Sequence, residues 1–100
     1  MIAHVAFVDC TPEQAEEAAR RIAAETSPVV RQREGFISSV LLVDRAREQV
    51  LMVTLWESEE ARAATDAAWP KDQPGVFEQI GVRRREARIF EVLLRTERLD

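Results

Sequence analysis

One hundred residues, 46% of them apolar and 32% charged, suffice for one hydrophobic core, so a single domain over residues 1–100 is expected. A net charge of −4 supplies no general attraction to nucleic acid or to an anionic membrane, and neither is expected as a partner. Cys10 and His4 are each the only residue of their type, which excludes an internal disulfide and leaves no Cys/His set for a metal.

Ile2 to Val8 reads as a short, almost wholly apolar strand suited to the centre of a sheet. No basic segment precedes it and no apolar run approaches ~18 residues, so a cytoplasmic protein is expected. Thr11-Pro12-Glu13-Gln14 then has the form of a helix start, with Thr11 as cap, Pro12 in the first turn and Gln14 completing a capping box. Ala15, Ala18, Ala19, Ile22 and Ala23 recur at helical spacing and form the expected buried stripe. Ser27-Pro28 interrupts or bends this helix, and Arg33-Glu34-Gly35 makes a turn into a second strand, Phe36 to Asp44.

A polar connection, Asp44 to Glu48, leads back into a third strand, Gln49 to Trp56, as a hairpin. Ser58 caps a second helix whose first turn carries Glu59 and Glu60, where carboxylates interact favourably with the helix dipole. Its inner stripe is expected at Ala61, Ala64, Thr65, Ala68 and Trp69, and Pro70 ends it. Lys71 to Val82 reads as a loop with one helical turn over a cavity rim, followed by a fourth strand from Arg83 to Leu94. That strand is apolar in both alternation phases, with Ala87, Ile89 and Leu93 in one and Phe90, Val92 and Leu94 in the other.

The order βαββαβ is that of an α+β, ferredoxin-like fold: a four-stranded antiparallel sheet with both helices on one face. Two helices cover one face only. In so small a chain the other face is most simply covered by a second copy, so a homodimer forming a dimeric α/β barrel is expected.

Four segments carry a family resemblance: the opening apolar strand, Pro12-Glu13, Glu34-Gly35-Phe36 and Leu55-Trp56-Glu57-Ser58-Glu59-Glu60-Ala61. On these, most of the chain resembles the antibiotic-biosynthesis-monooxygenase-like family of dimeric α/β barrels. The resemblance implies either a cofactor-independent oxygenase acting on polycyclic phenols and quinols or a haem degrader. The haem degraders resemble one another in a first-strand Asn, a Trp within the second helix and a His soon after it. Here the first strand holds no Asn, Trp69 comes at the helix end, and Lys71 to Val82 holds no His. The chain also lacks Tyr and Asn altogether, residues that tend to surround the substrate in the polyketide oxygenases.

A cofactor-free oxygenase needs an apolar slot for a planar substrate, a base that makes it an electron-rich anion, and exclusion of water. His4 is the candidate catalytic base, because an unperturbed imidazole titrates near ~6.5; its structural alternative is a strand histidine satisfied by a neighbouring element. Trp69 and Phe77 flank the loop after the second helix and are candidate walls of a substrate pocket between helices and sheet, with core packing as the alternative. Asp66, one residue off the inner stripe, is a candidate for orienting a ligand hydroxyl or His4, against an exposed helix carboxylate. Cys10 is expected to be a small buried filler. Arg83-Arg84-Arg85 with Arg88 is expected to pair with Glu86 or Glu91 of a second copy rather than to hold a ligand carboxylate or phosphate. The leading expectation is thus oxygenation or binding of a small aromatic or quinone-like molecule with no cofactor. A non-catalytic binding or interaction module is the alternative, and haem binding a third reading.

Overall fold

The computed structural model describes residues 1–99. Its elements run β1 (Ile2–Asp9), α1 (Pro12–Arg21), a wide π-turn (Ile22–Thr26), α2 (Ser27–Val30), β2 (Phe36–Asp44), β3 (Gln49–Trp56), α3 (Glu59–Ala68), α4 (Val76–Gln79) and β4 (Arg84–Glu91). The four strands form one antiparallel sheet in the order β2-β3-β1-β4. The fold is α+β and ferredoxin-like.

Both principal helices start where their capping residues dictate. Gln14 N–H donates to Thr11 Oγ1 at 3.2 Å while Thr11 N–H donates to Gln14 Oε1 at 2.9 Å, a complete capping box. Thr11→Ala removes one acceptor from an otherwise orphaned helix-terminal amide and will lower stability by about 1 kcal/mol in urea unfolding. Ala61 N–H donates to Ser58 Oγ at 3.1 Å in the same way. Pro28 bends the first helical segment as expected: it has no N–H to donate and its ring crowds the carbonyl four residues back. The backbone widens ahead of it, so that Ser27 N–H reaches Ile22 O across five residues. At the other end of α3, Trp69 is extended (φ −68°, ψ 135°), the conformation forced on a residue before proline.

Cross-strand pairing decides the two faces of the sheet. Val8 pairs with Val50, Ala6 with Met52, His4 with Thr54 and Ile2 with Trp56, so these residues share one side. That side carries the core: Val8 and Val50 are fully buried, packed with Cys10, Ala15 of α1, Leu41, Phe77 and Val82. Cys10 is buried, and desolvation raises its thiol pKa, which leaves it an unreactive filler. On the opposite side, the odd-numbered residues of β1 stand beside Leu51, Val53 and Leu55 of β3 and Val40 and Leu42 of β2. Val40, Leu42 and Phe90 on this side are each more than 40% exposed.

Gly35 joins α2 to β2 with φ +84°, and a Cβ placed there would overlap the Ala61 Cβ. Its carbonyl accepts from Glu57 N–H at 2.8 Å, so the start of β2 and the start of α3 are locked at one point. Gly35→Ala combines a left-handed backbone with overpacking and will cost about 2–3 kcal/mol in chemical unfolding.

Three expectations are corrected. In α1, Ala15 and Ala18 are buried but Ala19 is exposed, and so is Ala23 in the π-turn beyond it, so that only a narrow edge of the helix is covered. In α3, Thr65 is buried while Ala64 and Ala68 face outward; the sheet-facing stripe runs instead through Ala61, Arg62 and Thr65. The fourth strand covers Arg84–Glu91 rather than Arg83 to Leu94. Its only ladder partner, β1, begins at Ile2 opposite Glu91, so beyond that pair a single Val92 N–H to Met1 O bond at 3.1 Å remains. Leu93 and Leu94 lie outside the sheet and are more than 80% exposed.

Candidate functional site

The helix-bearing side of the sheet holds a cavity of about 800 Å³ between the end of α3, the loop that follows, α4 and the chain entering β4. Asp66 and Trp69 contribute from α3 and its terminus, Phe77 and Val76 from α4, and Val82, Arg83 and Arg84 from the approach to β4. The three residues proposed from sequence as substrate contacts, Trp69, Phe77 and Asp66, thus stand around one concavity. The loop is held by its own polar contacts: Gln79 Nε2 donates to Pro74 O at 2.9 Å and Arg21 Nη1 to Gln79 Oε1 at 3.0 Å. The second of these ties the cavity rim to α1.

His4 lies on the same side of the sheet, half-buried, opposite Thr54 on β3 and Ile89 on β4. It does not line the cavity. Burial is the main cause holding its imidazole below the ordinary value of 6.5, and the cations Arg62 and Arg84 push the same way against the weaker pull of Glu59 and Asp66. No hydrogen bond contributes to that lowering. The ring is therefore neutral at pH 7 and able to take a proton. Two of the charges acting on it, Asp66 and Arg84, are themselves cavity-lining, so His4 and the cavity share part of their electrostatic surroundings.

Sequence reasoning missed Glu59 and Arg62. Arg62 donates to Glu59 through Nε and Nη2 at 2.7–3.1 Å, which lowers the Glu59 carboxyl pKa and raises that of the guanidinium. Glu59, Arg62 and Asp66 are spaced three and four residues apart and so share one side of α3, the side whose charges reach His4. That spacing was the available signal. Nearby, Arg33 Nε donates to Thr65 Oγ1 at 3.2 Å and satisfies the one buried polar residue of α3.

The arginine cluster divides. Arg85 makes a bidentate pair with Asp9 of its own chain, at 2.8 Å to each oxygen, instead of waiting for a second copy. Arg88 pairs with Glu86 at 2.9 Å and lies over the rings of Phe7 and Phe90 at 5.1 and 5.2 Å, on the side of the sheet away from the helices. Arg83 and Arg84 face the cavity.

The donor set does not suit haem iron. No His, Cys, Tyr or Met side chain lines the cavity, and no cluster of His, Cys, Asp and Glu at metal-binding distance occurs among the described residues. No described helix is long and apolar enough to cross a membrane.

Three solved structures place this geometry in context. A Bacillus cereus protein assigned to the antibiotic biosynthesis monooxygenases superposes with a TM-score of 0.71 at 18% identity, covering 100% of this chain and 98% of that one. A haem-degrading protein from Mycobacterium tuberculosis gives 0.65 at 24% identity, covering 97% and 100%. SnoaB, a cofactor-independent oxygenase from Streptomyces nogalater, gives 0.61 at 19% identity, covering 94% of each. At such identities these likenesses establish the shared fold. No curated protein matches the chain. The model of the antibiotic biosynthesis monooxygenase family matches residues 1–68, the span that runs from β1 through the cap and body of α3, and the chain therefore belongs to that family.

Proposed function

We propose that this protein is a cofactor-independent oxygenase of a small aromatic or quinone-like substrate, with His4 as the base. The observation that carries the reading is a histidine held below its ordinary pKa by burial and by Arg62 and Arg84, and sharing the charges of Arg84 and Asp66 with a cavity lined by Trp69 and Phe77. An anthrone-like substrate gives up a ring-methylene proton to His4, and the resulting anion, stabilised across the rings, reduces oxygen. Combination at the same carbon forms a hydroperoxide, which collapses to the quinone carbonyl with loss of water. One substrate and one O2 thus yield one quinone and one H2O, with both electron pairs drawn from the substrate. Trp69 and Phe77 sandwich the planar rings, and Asp66 accepts from a ring hydroxyl. The similar structures, one a cofactor-independent oxygenase and one a haem-degrading protein, support oxygenation or small-molecule binding in general terms.

The second copy belongs to the same proposal. The apolar side of the sheet away from the helices is closed by an identical face, giving a homodimer in which Arg88, held over Phe7 and Phe90, is covered along with them. A second functional reading, a binding module without turnover, is favoured by one feature: His4 is not among the residues that line the cavity.

Oxygen uptake by the purified protein, without added cofactor, on a panel of hydroquinones and anthrone-like phenols decides between the two readings. Protein-dependent uptake supports the oxygenase. Saturable binding of the same compounds with uptake no faster than in buffer replaces it with the binding module.

A further inference from the structure

The loop after α3 stands between two cavities. Pro70 and Lys71 line the larger one, while Asp72 and Pro74 line a second, of about 350 Å³, that reaches Glu25 and Thr26 of the π-turn. Trp69, Gln73 and Gly75 line both. The segment Pro70–Pro74 is therefore a partition, and little holds it in place. All five of its residues are exposed, so no buried side chain anchors it. Among the described residues, two hydrogen bonds tie it to the rest of the chain: a long 3.4 Å contact from Lys71 Nζ to Asp66 O, and the 2.9 Å bond from Gln79 Nε2 to Pro74 O.

The second bond ends a relay that begins on α1. Glu17 Oε1 accepts from Arg21 Nε and Nη2 at 3.1 and 2.9 Å, and Arg21 Nη1 donates to Gln79 Oε1 at 3.0 Å. A guanidinium can only donate, so it must face the amide oxygen, and the Gln79 NH2 group is left directed at the Pro74 carbonyl. We infer that Gln79 is a positioning residue, the latch of a lid: its amide holds Pro70–Pro74 against the larger cavity, and when that bond parts the segment swings toward the smaller one and opens the larger. One exposed hydrogen bond suits this task, because its small net worth keeps the lid mostly shut yet lets it open often. This inference rests on the reading of the larger cavity as the ligand's site and adds how a ligand enters and leaves it.

Lys71 is the only lysine of the chain, so a lysine-specific endoproteinase has one place to cut, inside the lid. Cleavage of the folded protein there follows the population of the open form. Gln79→Glu keeps an oxygen for Arg21 and removes the N–H that Pro74 receives. It is expected to quicken cleavage about three- to tenfold, the worth of one such bond. In wild type and variant alike the rate is expected to be nearly independent of urea below the unfolding transition, the mark of a local opening that exposes little surface. Association of anthraquinone, followed by tryptophan fluorescence in a stopped-flow instrument, is expected to quicken by the same factor. Equal cleavage of the two proteins, or rates that climb with urea as steeply as global unfolding, overturns the latch and leaves the aromatic pocket in place. Quicker cleavage with unchanged association overturns the lid. Failure of anthraquinone to bind either protein overturns the pocket reading and the lid with it.

Discussion

Trp56→Ala will be the most damaging single substitution in the core, lowering unfolding free energy by about 3–5 kcal/mol. The indole is only 4% exposed at the end of β3, and it packs edge-on against Phe36 with ring centroids 5.3 Å apart at 75°. Its Nε1–H donates to Thr54 Oγ1 at 3.0 Å. Truncation opens a cavity where β2, β3 and the start of α3 meet, beside the Gly35–Glu57 bond that joins them. In a domain of this size each kcal/mol moves Tm by roughly 4–8 °C, so a fall of more than ~12 °C is expected in a thermal melt. Trp56→Phe, which keeps the aromatic pair and loses the hydrogen bond, will cost far less, about 1–2 kcal/mol. A fall of only a few degrees for the alanine variant would show that the junction can collapse around the gap. The loss reaches the candidate site, because Ser58, two residues on, sets the start of the helix that presents Arg62 and Asp66.

The second large effect is on assembly. Val53 lies directly across from Val5 on β1 and Val40 on β2, at the centre of the side of the sheet that no helix covers. Val53→Glu places two carboxylates, one from each copy, at the middle of the proposed interface, where desolvating an unpaired charge costs several kcal/mol. The dimer is expected to weaken by at least about 100-fold, or ~2.7 kcal/mol, with a smaller effect on the fold of the single chain, where the position is half-buried. Sedimentation velocity at micromolar concentration reads this directly. A wild-type monomer at that concentration, or a variant dimer as tight as the wild type, would contradict the proposed face.

Those two residues mark what was legible in the sequence. Local chemistry wrote the strand limits of β2 and β3, the two helix caps and the stop at Pro70, and each stands where Thr11, Ser58 and the proline require. The position of Trp56 at a strand-to-helix junction was likewise a local signal. What failed was orientation. Along α3 the alanines are too alike in size and hydropathy to set a phase, so Ala64 and Ala68 looked as buried as Ala61. Glu59 and Arg62, which share a side of α3 with Asp66, went unread as site residues because charges are expected outside. The face occupied by His4 could not be read from β1, whose two phases are equally apolar; it is settled by the Val8–Val50 pair packing with Ala15. The end of β4 depended on where its partner strand begins, a non-local fact that the apolar run through Leu94 conceals.

Placing His4 on the helix side, beneath the charged stripe of α3, yields a titration with a definite sign. A base must be neutral to act, and burial with Arg62 and Arg84 holds this one below 6.5. Turnover that depends on His4 therefore falls on the acid side, as the imidazole takes up its proton, with a midpoint displaced to lower pH than the ordinary imidazole value of 6.5. The most direct measurement is the pH dependence, from 5 to 8, of kcat/KM for oxygen consumption on an anthrone-like phenol, for the wild type and His4→Gln. A wild-type acid limb below 6.5, with the variant slower by about 100-fold or more and lacking that limb, is the predicted result. Equal rates, or the same limb in both proteins, would remove His4 from the chemistry.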